Sequence, residues 1–204
     1  MNKSVLKAKY GEEKVFAVPF NKLHFINDKF TRIKHDSRIW GMFDSIGEFV
    51  YRYDVEGEPS MQQIIPYILI INENGDKLYT TRRIAGDSRL TNKLSIACGG
   101  HIDSCDGSKE VLFKAAVREL FEEVNISTNS PFEIIGFVRD LNSSTSDHTG
   151  VVIIAKAIGE VTVKENDNLV GKWMTLKELI NEYENLEGWS KYILDHFVTE
   201  KSFI

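Results

Sequence analysis

Gly99-Gly100-His101-Ile102-Asp103, then Glu110-Val-Leu-Phe-Lys-Ala-Ala-Val-Arg118-Glu119-Leu-Phe-Glu122-Glu123-Val-Asn-Ile126, is the stretch that decides how this chain reads. At ~100° per residue, 110 to 126 read as a helix with Glu119, Glu122 and Glu123 on one face. Phe113, Val117, Leu120 and Val124 recur at the spacing of a buried stripe on another face. Arg118 stands one turn before Glu122, within pairing range. Ala115 and Ala116 leave room beside the acidic face, and Asn125 suits a left-handed cap at the helix end. The carboxylates lie in the last turns, against the helix dipole, and Glu119 repels Glu123. Each cost is only ~0.3–1 kcal/mol at an exposed site, so a solvated acidic face is the plain reading. The paired glycines just before the helix and the arginine beside the first carboxylate point instead to a hard divalent cation. Such a site keeps coordination positions open for phosphate oxygens.

These residues resemble the Nudix box, whose pattern is Gly, five residues, Glu, seven residues, Arg-Glu-apolar-any-Glu-Glu-any-Gly-apolar. Glu110, Arg118, Glu119, Leu120, Glu122, Glu123 and Ile126 keep its register. Nine residues, not five, separate Gly100 from Glu110, so about 104–107 reads as an insertion, and Asn125 stands where the family has Gly. The resemblance implies a Nudix-type α/β/α sandwich around a mixed sheet. It implies metal-dependent hydrolysis of a diphosphate linkage, in a nucleoside diphosphate derivative or related organic pyrophosphate, by attack of metal-activated water on phosphorus. Mg²⁺ or Mn²⁺ is then expected on Glu119, Glu122, Glu123 and the Gly100 carbonyl. Arg118 is expected to hold a box carboxylate, with Glu110 and Gly99 in support. The general base stays open between the box glutamates and a later loop, where Glu165 and Asp167 precede Trp173. Two alternatives share the fold: an isopentenyl-diphosphate-isomerase-like enzyme, which needs a catalytic cysteine such as Cys98, and a ligand-sensing module without turnover. The intact box favours hydrolysis.

Arg82, Arg83, Arg89 and Lys93 precede the box and are candidates to hold phosphate. Arg82, Arg89 and His101 are the expected substrate contacts, set against the plainer readings of surface charge and backbone-bonded loop histidine. His148, in the polar loop 142–149, is expected to be exposed.

The other elements follow from pattern. Glu13–Pro19 is a short strand, Gln62–Ile71 a strand apolar on both faces, Asn72–Asp76 a hairpin turn, and Lys77–Ile84 its return. Leu94–Ala97, Phe132–Asp140 and Gly150–Ile158 read as further strands. Thr175–Leu186 is a helix opened by a Thr175/Glu178 capping box, and Trp189–Phe197 a final helix. Strands before and between helices imply a mixed sheet covered by helices.

The turn Gly57-Glu58-Pro59-Ser60 divides an aromatic-rich extension, 1–57, from a hydrolase domain, 58–204. The extension either packs on its own domain or forms a homodimer face. In 204 residues, 42% hydrophobic and 27% charged, the net charge of −5 offers no basic footprint for a nucleic-acid polymer. The run Ile64–Ile71, broken by Pro66, is far short of the ~20 residues of a membrane span. The first residues lack a signal-peptide core, and Cys98 and Cys105 lack metal or redox spacing. A cytoplasmic protein with a small-molecule partner is the expectation.

Overall fold

The computed structural model describes residues 2–34, 36–84, 92–164 and 169–203. In chain order the elements are α1 (Lys3–Tyr10), β1 (Lys14–Pro19), β2 (Lys29–Arg32), α2 (Arg38–Ile46), β3 (Glu48–Tyr51), α3 (Arg52–Val55), β4 (Met61–Ile71) and β5 (Lys77–Arg83). There follow β6 (Leu94–Ser95), α4 (Val111–Glu123), β7 (Val124–Ser127), β8 (Glu133–Arg139), β9 (His148–Lys156), β10 (Ile158–Val163), β11 (Leu169–Thr175), α5 (Leu176–Asn181) and α6 (Gly188–Glu200).

The main sheet runs β11-β5-β4-β9-β8-β2, with β1 and β3 attached through β4 and with β6 on β5. β4 and β9 are parallel from Gln63↔His148 to Ile71↔Lys156, and the other neighbouring strands are antiparallel, so the sheet is mixed. The second edge of β4 is shared. β1 pairs at its start, Ala17↔Gln63, and β5 at its end, Ile70↔Tyr79. Between them Ile68 exchanges both backbone hydrogen bonds with Cys98. Pro66, two residues earlier, faces this same split edge, where its missing N–H breaks no strand ladder.

Alternation along β4 feeds two cores. Ile64, Ile68 and Ile70 join Phe16, Phe137, Val151 and Ile153 beneath α4. Tyr67, Leu69 and Ile71 join Leu78, Val152 and Ile154 beneath α5 and α6, which supply Leu179, Ile193, Leu194 and Phe197. Helices therefore cover both faces, as the apolar run of β4 suggests and as the α/β/α sandwich implied by the resemblance requires. Residues before the turn at 57 build into the same body: β1 pairs with β4, β2 with β8, and Phe16 and Phe43 are buried in the α4-side core.

The structure corrects the reading of α4. The helix stops at Glu123, and Val124 is extended, so the chain enters β7 directly and Asn125 pairs with Thr162 instead of capping. The buried face is Val111, Leu112, Ala115, Ala116, Glu119 and Leu120. Phe113 is 43% exposed, on the outer face. The i, i+3, i+4, i+7, i+8 set Leu112, Ala115, Ala116, Glu119, Leu120 satisfies the helical period better than the stripe from Phe113. The two alanines let the helix sit low on the sheet. The Thr175/Glu178 capping box forms, but α5 ends at Asn181, and a 3-10 turn carries the chain through Tyr183–Asn185.

At its start α4 is capped from outside. Glu110 adopts left-handed backbone, and Asp44, at the end of α2, accepts from the Glu110 and Val111 N–H groups at 2.6 and 3.1 Å. Asp44→Ala is expected to cost about 1 kcal/mol, as for loss of a helix cap. In a chain of this size that lowers Tm by roughly 2–4 °C in a calorimetric scan. An unchanged Tm would show that water caps the helix as well.

Candidate active site

The residues around Gly99 and the end of α4 meet because the split edge of β4 holds the strand-like segment that precedes the glycines. Ile68–Cys98 pairing sets Gly99 against Pro66 so closely that a Cβ at Gly99 would stand 1.9 Å from the Pro66 carbonyl oxygen; its φ is +150°. The Gly99 N–H donates to Glu123 Oε1 at 3.2 Å. A Cβ at Gly100 would lie 2.7 Å from both Glu119 carboxylate oxygens. Gly99 is therefore required by close approach to backbone, and a side chain at Gly100 would displace the Glu119 carboxylate.

Arg118 is the hub. Its Nε and Nη2 donate to Asp106 Oδ1 and Oδ2, both at 2.9 Å, a bidentate pair. Nη1 donates to Glu119 Oε1 at 2.7 Å and Glu122 Oε2 at 3.2 Å, and Nη2 also reaches the His101 carbonyl at 2.9 Å. Asp106 is 3% exposed and closes a capping box with Asp103 around a 3-10 turn, Ser104–Asp106. The segment read as an insertion thus supplies the main partner of the box arginine. Glu110, marked for support, is exposed at the far end of α4, and among the described residues only its backbone is bonded. A signal for Asp106 was present: five residues separate it from Gly100, the spacing at which the box pattern has its first carboxylate. The extra residues fall after it, ahead of the helix.

Glu119 is 12% exposed, Glu122 60%. Burial raises the Glu119 carboxyl above its ordinary range; Arg118 opposes this, and Glu122 and Asp106 add to it. Among the described residues the tight cluster of potential metal ligands is Asp103, Cys105 and Asp106, within 4.8 Å, not the three glutamates. Asp106 is taken by Arg118, however. Arg118 bridges Glu119 and Glu122, while Glu123 turns to the Gly99 N–H. Hard oxygen donors on consecutive turns, beside a glycine whose missing side chain leaves Glu119 open, fit Mg²⁺ or Mn²⁺.

A cleft of about 590 Å³ opens beside this cluster. Glu123, Gly99, Gly100 and His101 line one part, and Tyr67, Glu187 and Trp189 another. Arg83 and Lys93 also line it. Arg82 does not: it pairs with Glu182 at 2.8 Å and donates to the Asn92 carbonyl at 2.9 Å. Strand alternation turns neighbouring arginines to opposite faces, so the cleft takes Arg83 where the sequence suggested Arg82. Arg89, Glu165 and Asp167 lie outside the described residues. Cys98 is buried beside Glu123 and Glu119; burial first, and those charges second, push its thiol well above the ordinary range.

His148 corrects another expectation. Its side chain is 14% exposed, and its Nε2 stands 3.2 Å from His101 Nε2. Its Nδ1 lies 2.8 Å from Asp147 Oδ1. His101 bonds to this partner and not to backbone as a lone loop histidine would. Burial first, then nearby Arg52, push the His101 pKa from 6.5 down to about 3. This sets a pH dependence. Below about 6.5 the unfolded chain takes up a proton that the folded ring refuses until about 3, so stability present above 6.5 is lost as pH falls. The limiting slope is about 1.4 kcal/mol per pH unit for one proton. Urea unfolding between neutral and mildly acid pH is expected to show a shallower decline in His101→Gln; equal slopes would refute it.

A family model for the NUDIX domain matches residues 61–197. Protein YmaB of Bacillus subtilis (strain 168) is 36% identical over 174 residues, 78% of this chain and 84% of that protein. The crystal structure of Tm1382, a putative Nudix hydrolase, superposes with a TM-score of 0.77 at 26% identity, over 92% of this chain and 100% of that one. DR0079 from Deinococcus radiodurans shares the fold at TM-score 0.53 and 19% identity, over 66% of this chain and 82% of its own. The matched span contains the glycines, Arg118 and all three glutamates, and on it this chain belongs to the Nudix family, as a pyrophosphohydrolase.

Proposed function

We propose that the enzyme hydrolyses a diphosphate linkage in a nucleoside diphosphate derivative or similar organic pyrophosphate, with Mg²⁺ or Mn²⁺. The observation that carries this reading is the cleft of about 590 Å³ beside Glu123 and Gly99-Gly100. It leaves room for an organic group beyond the diphosphate.

Glu119, Glu122, Glu123 and the Gly100 carbonyl are the residues to hold the cation. When bound, it offsets charge on the phosphates and makes water a stronger nucleophile at neutral pH. Arg118, fixed by Asp106, keeps Glu119 and Glu122 on the site side of α4. Arg83 and Lys93 provide positive charge for the phosphates. Gly99, through its N–H, orients Glu123.

The isomerase alternative needs a reactive thiol, and a buried thiol raised well above its ordinary range does not provide one. The sensing alternative would accommodate loss of a box carboxylate, and all three are present. The test is release of phosphate esters from NADH, ADP-ribose, diadenosine polyphosphates, nucleotide sugars, CoA and nucleoside triphosphates, with and without Mg²⁺ or Mn²⁺. Metal-dependent cleavage of one class is expected. No cleavage of any, alongside intact metal binding, would favour the sensing module.

A further inference from the structure

Asp147, His148 and His101 form a chain of hydrogen bonds that runs from the interior to the cleft, and its polarity is set at the buried end. Asp147 is 2% exposed. Its Oδ2 accepts from the Gly57 N–H at 2.6 Å and from Gln63 Nε2 at 3.0 Å, and its Oδ1 faces His148 Nδ1 at 2.8 Å. A carboxylate only accepts, so when each ring carries a single hydrogen that of His148 lies on Nδ1 and its Nε2 carries a lone pair. The hydrogen in the 3.2 Å contact must then come from His101 Nε2. That leaves His101 Nδ1 without a hydrogen, and among the described residues no protein group donates to it. His101 and His148 both line the cleft, and His101 directly follows Gly100.

We propose that this chain presents His101 Nδ1 to the substrate as a hydrogen-bond acceptor that receives a hydroxyl of the group esterified to the diphosphate. Asp147 and His148 are positioning residues that act through His101. An uncharged acceptor has nothing to offer a phosphate oxygen, which is itself an acceptor, whereas a sugar-like hydroxyl supplies the missing hydrogen. His101 thereby reads the organic part of the ligand, and Arg83 and Lys93 the phosphates. The hydroxyl contact rests on the reading of the cleft as a diphosphate site; the polarity of the chain does not.

Asp147→Asn provides a reversal. Its carbonyl oxygen is held by the fixed backbone donor Gly57 N–H, so its NH₂ turns to His148 Nδ1. The hydrogen of His148 then moves to Nε2, and that of His101 to Nδ1, converting the acceptor into a donor. Nitrogen-15 spectra of the histidines in the full, ligand-free chain near neutral pH read these tautomers directly. In the wild type His148 is expected with hydrogen on Nδ1 and His101 on Nε2, and in Asp147→Asn both are expected inverted. The wild-type spectrum alone decides the matter if the variant does not fold: a wild-type His101 with hydrogen on Nδ1 overturns the proposal.

Titration of the same wild-type sample with ADP-ribose is expected to shift the His101 Nδ1 resonance, and titration with inorganic pyrophosphate is not. No shift with ADP-ribose, or equal shifts with both, overturns the hydroxyl assignment. Asp147→Asn is expected to weaken ADP-ribose binding about tenfold, the equivalent of one hydrogen bond. Hydrolysis assayed on these samples keeps the two readings apart. Correct tautomers with no turnover would leave the chain standing and remove the hydrolase.

Discussion

Glu122→Gln is expected to lower turnover about a hundred- to a thousandfold while leaving the fold intact. A ligand charge that meets a catalytic cation contributes several kcal/mol at the transition state, and about 1.4 kcal/mol is a factor of ten. The fold tolerates the change because Glu122 is 60% exposed and, among the described residues, its one ion pair is the 3.2 Å contact with Arg118. Such a pair is worth roughly 0–1 kcal/mol. Arg118 keeps its bidentate hold on Asp106 and its bond to Glu119. Glu110→Gln is the matched comparison. The family pattern marks both glutamates, but Glu110 is exposed at the far end of the helix with, among the described residues, only its backbone engaged. Its variant is expected to stay close to wild-type activity. Steady-state rates with saturating Mg²⁺, together with Tm, decide both cases. Near-normal turnover in Glu122→Gln would remove Glu122 from the site.

Gly99→Ala is expected to produce the largest loss of stability, about 3 kcal/mol, since a φ of +150° is strained for any side chain. The added carbon meets the Pro66 carbonyl oxygen at 1.9 Å, and that oxygen belongs to the central strand and cannot retreat. The 95–100 segment must shift instead, which breaks the Gly99–Glu123 contact and strains the Ile68–Cys98 pairing. At roughly 2–4 °C per kcal/mol in a chain of this size, Tm falls by about 6–12 °C. Gly41→Ala gives the opposite control. Gly41 lies within α2 with nothing within 4 Å of an added Cβ. Its replacement is expected to gain about 0.5–1 kcal/mol, the helix-propensity difference. Parallel melting curves test the pair; a Gly99→Ala variant as stable as the wild type would show that the loop is not pinned by Pro66.

The sequence by itself determined the family, the sheet covered on both faces and the three glutamates of α4. The family rests on the resemblance of residues 99–126 to the Nudix box; the covered sheet rests on an apolar run with no polar face in β4, and the shared face of the glutamates on helical spacing in α4. What lay across long separations was decided only by the tertiary structure. Asp44 caps a helix 66 residues later in the chain, and Asp147 reaches Gly57 across 90 residues. His148 meets His101 over 47 residues because parallel pairing of β9 with β4 starts at His148, while Cys98 holds the other edge of β4. A polar loop with a histidine reads as exposed from its neighbours alone, and only strand register brings that histidine against the glycine segment. The same limit explains Arg82 and Arg83. Both are basic residues at the end of a strand, and which one faces the cleft depends on the face β5 turns toward it, set by pairing with β6 and β11. Local sequence specifies which chemical groups are present and how their backbone curls; burial and pairing with distant segments assign each one its partner.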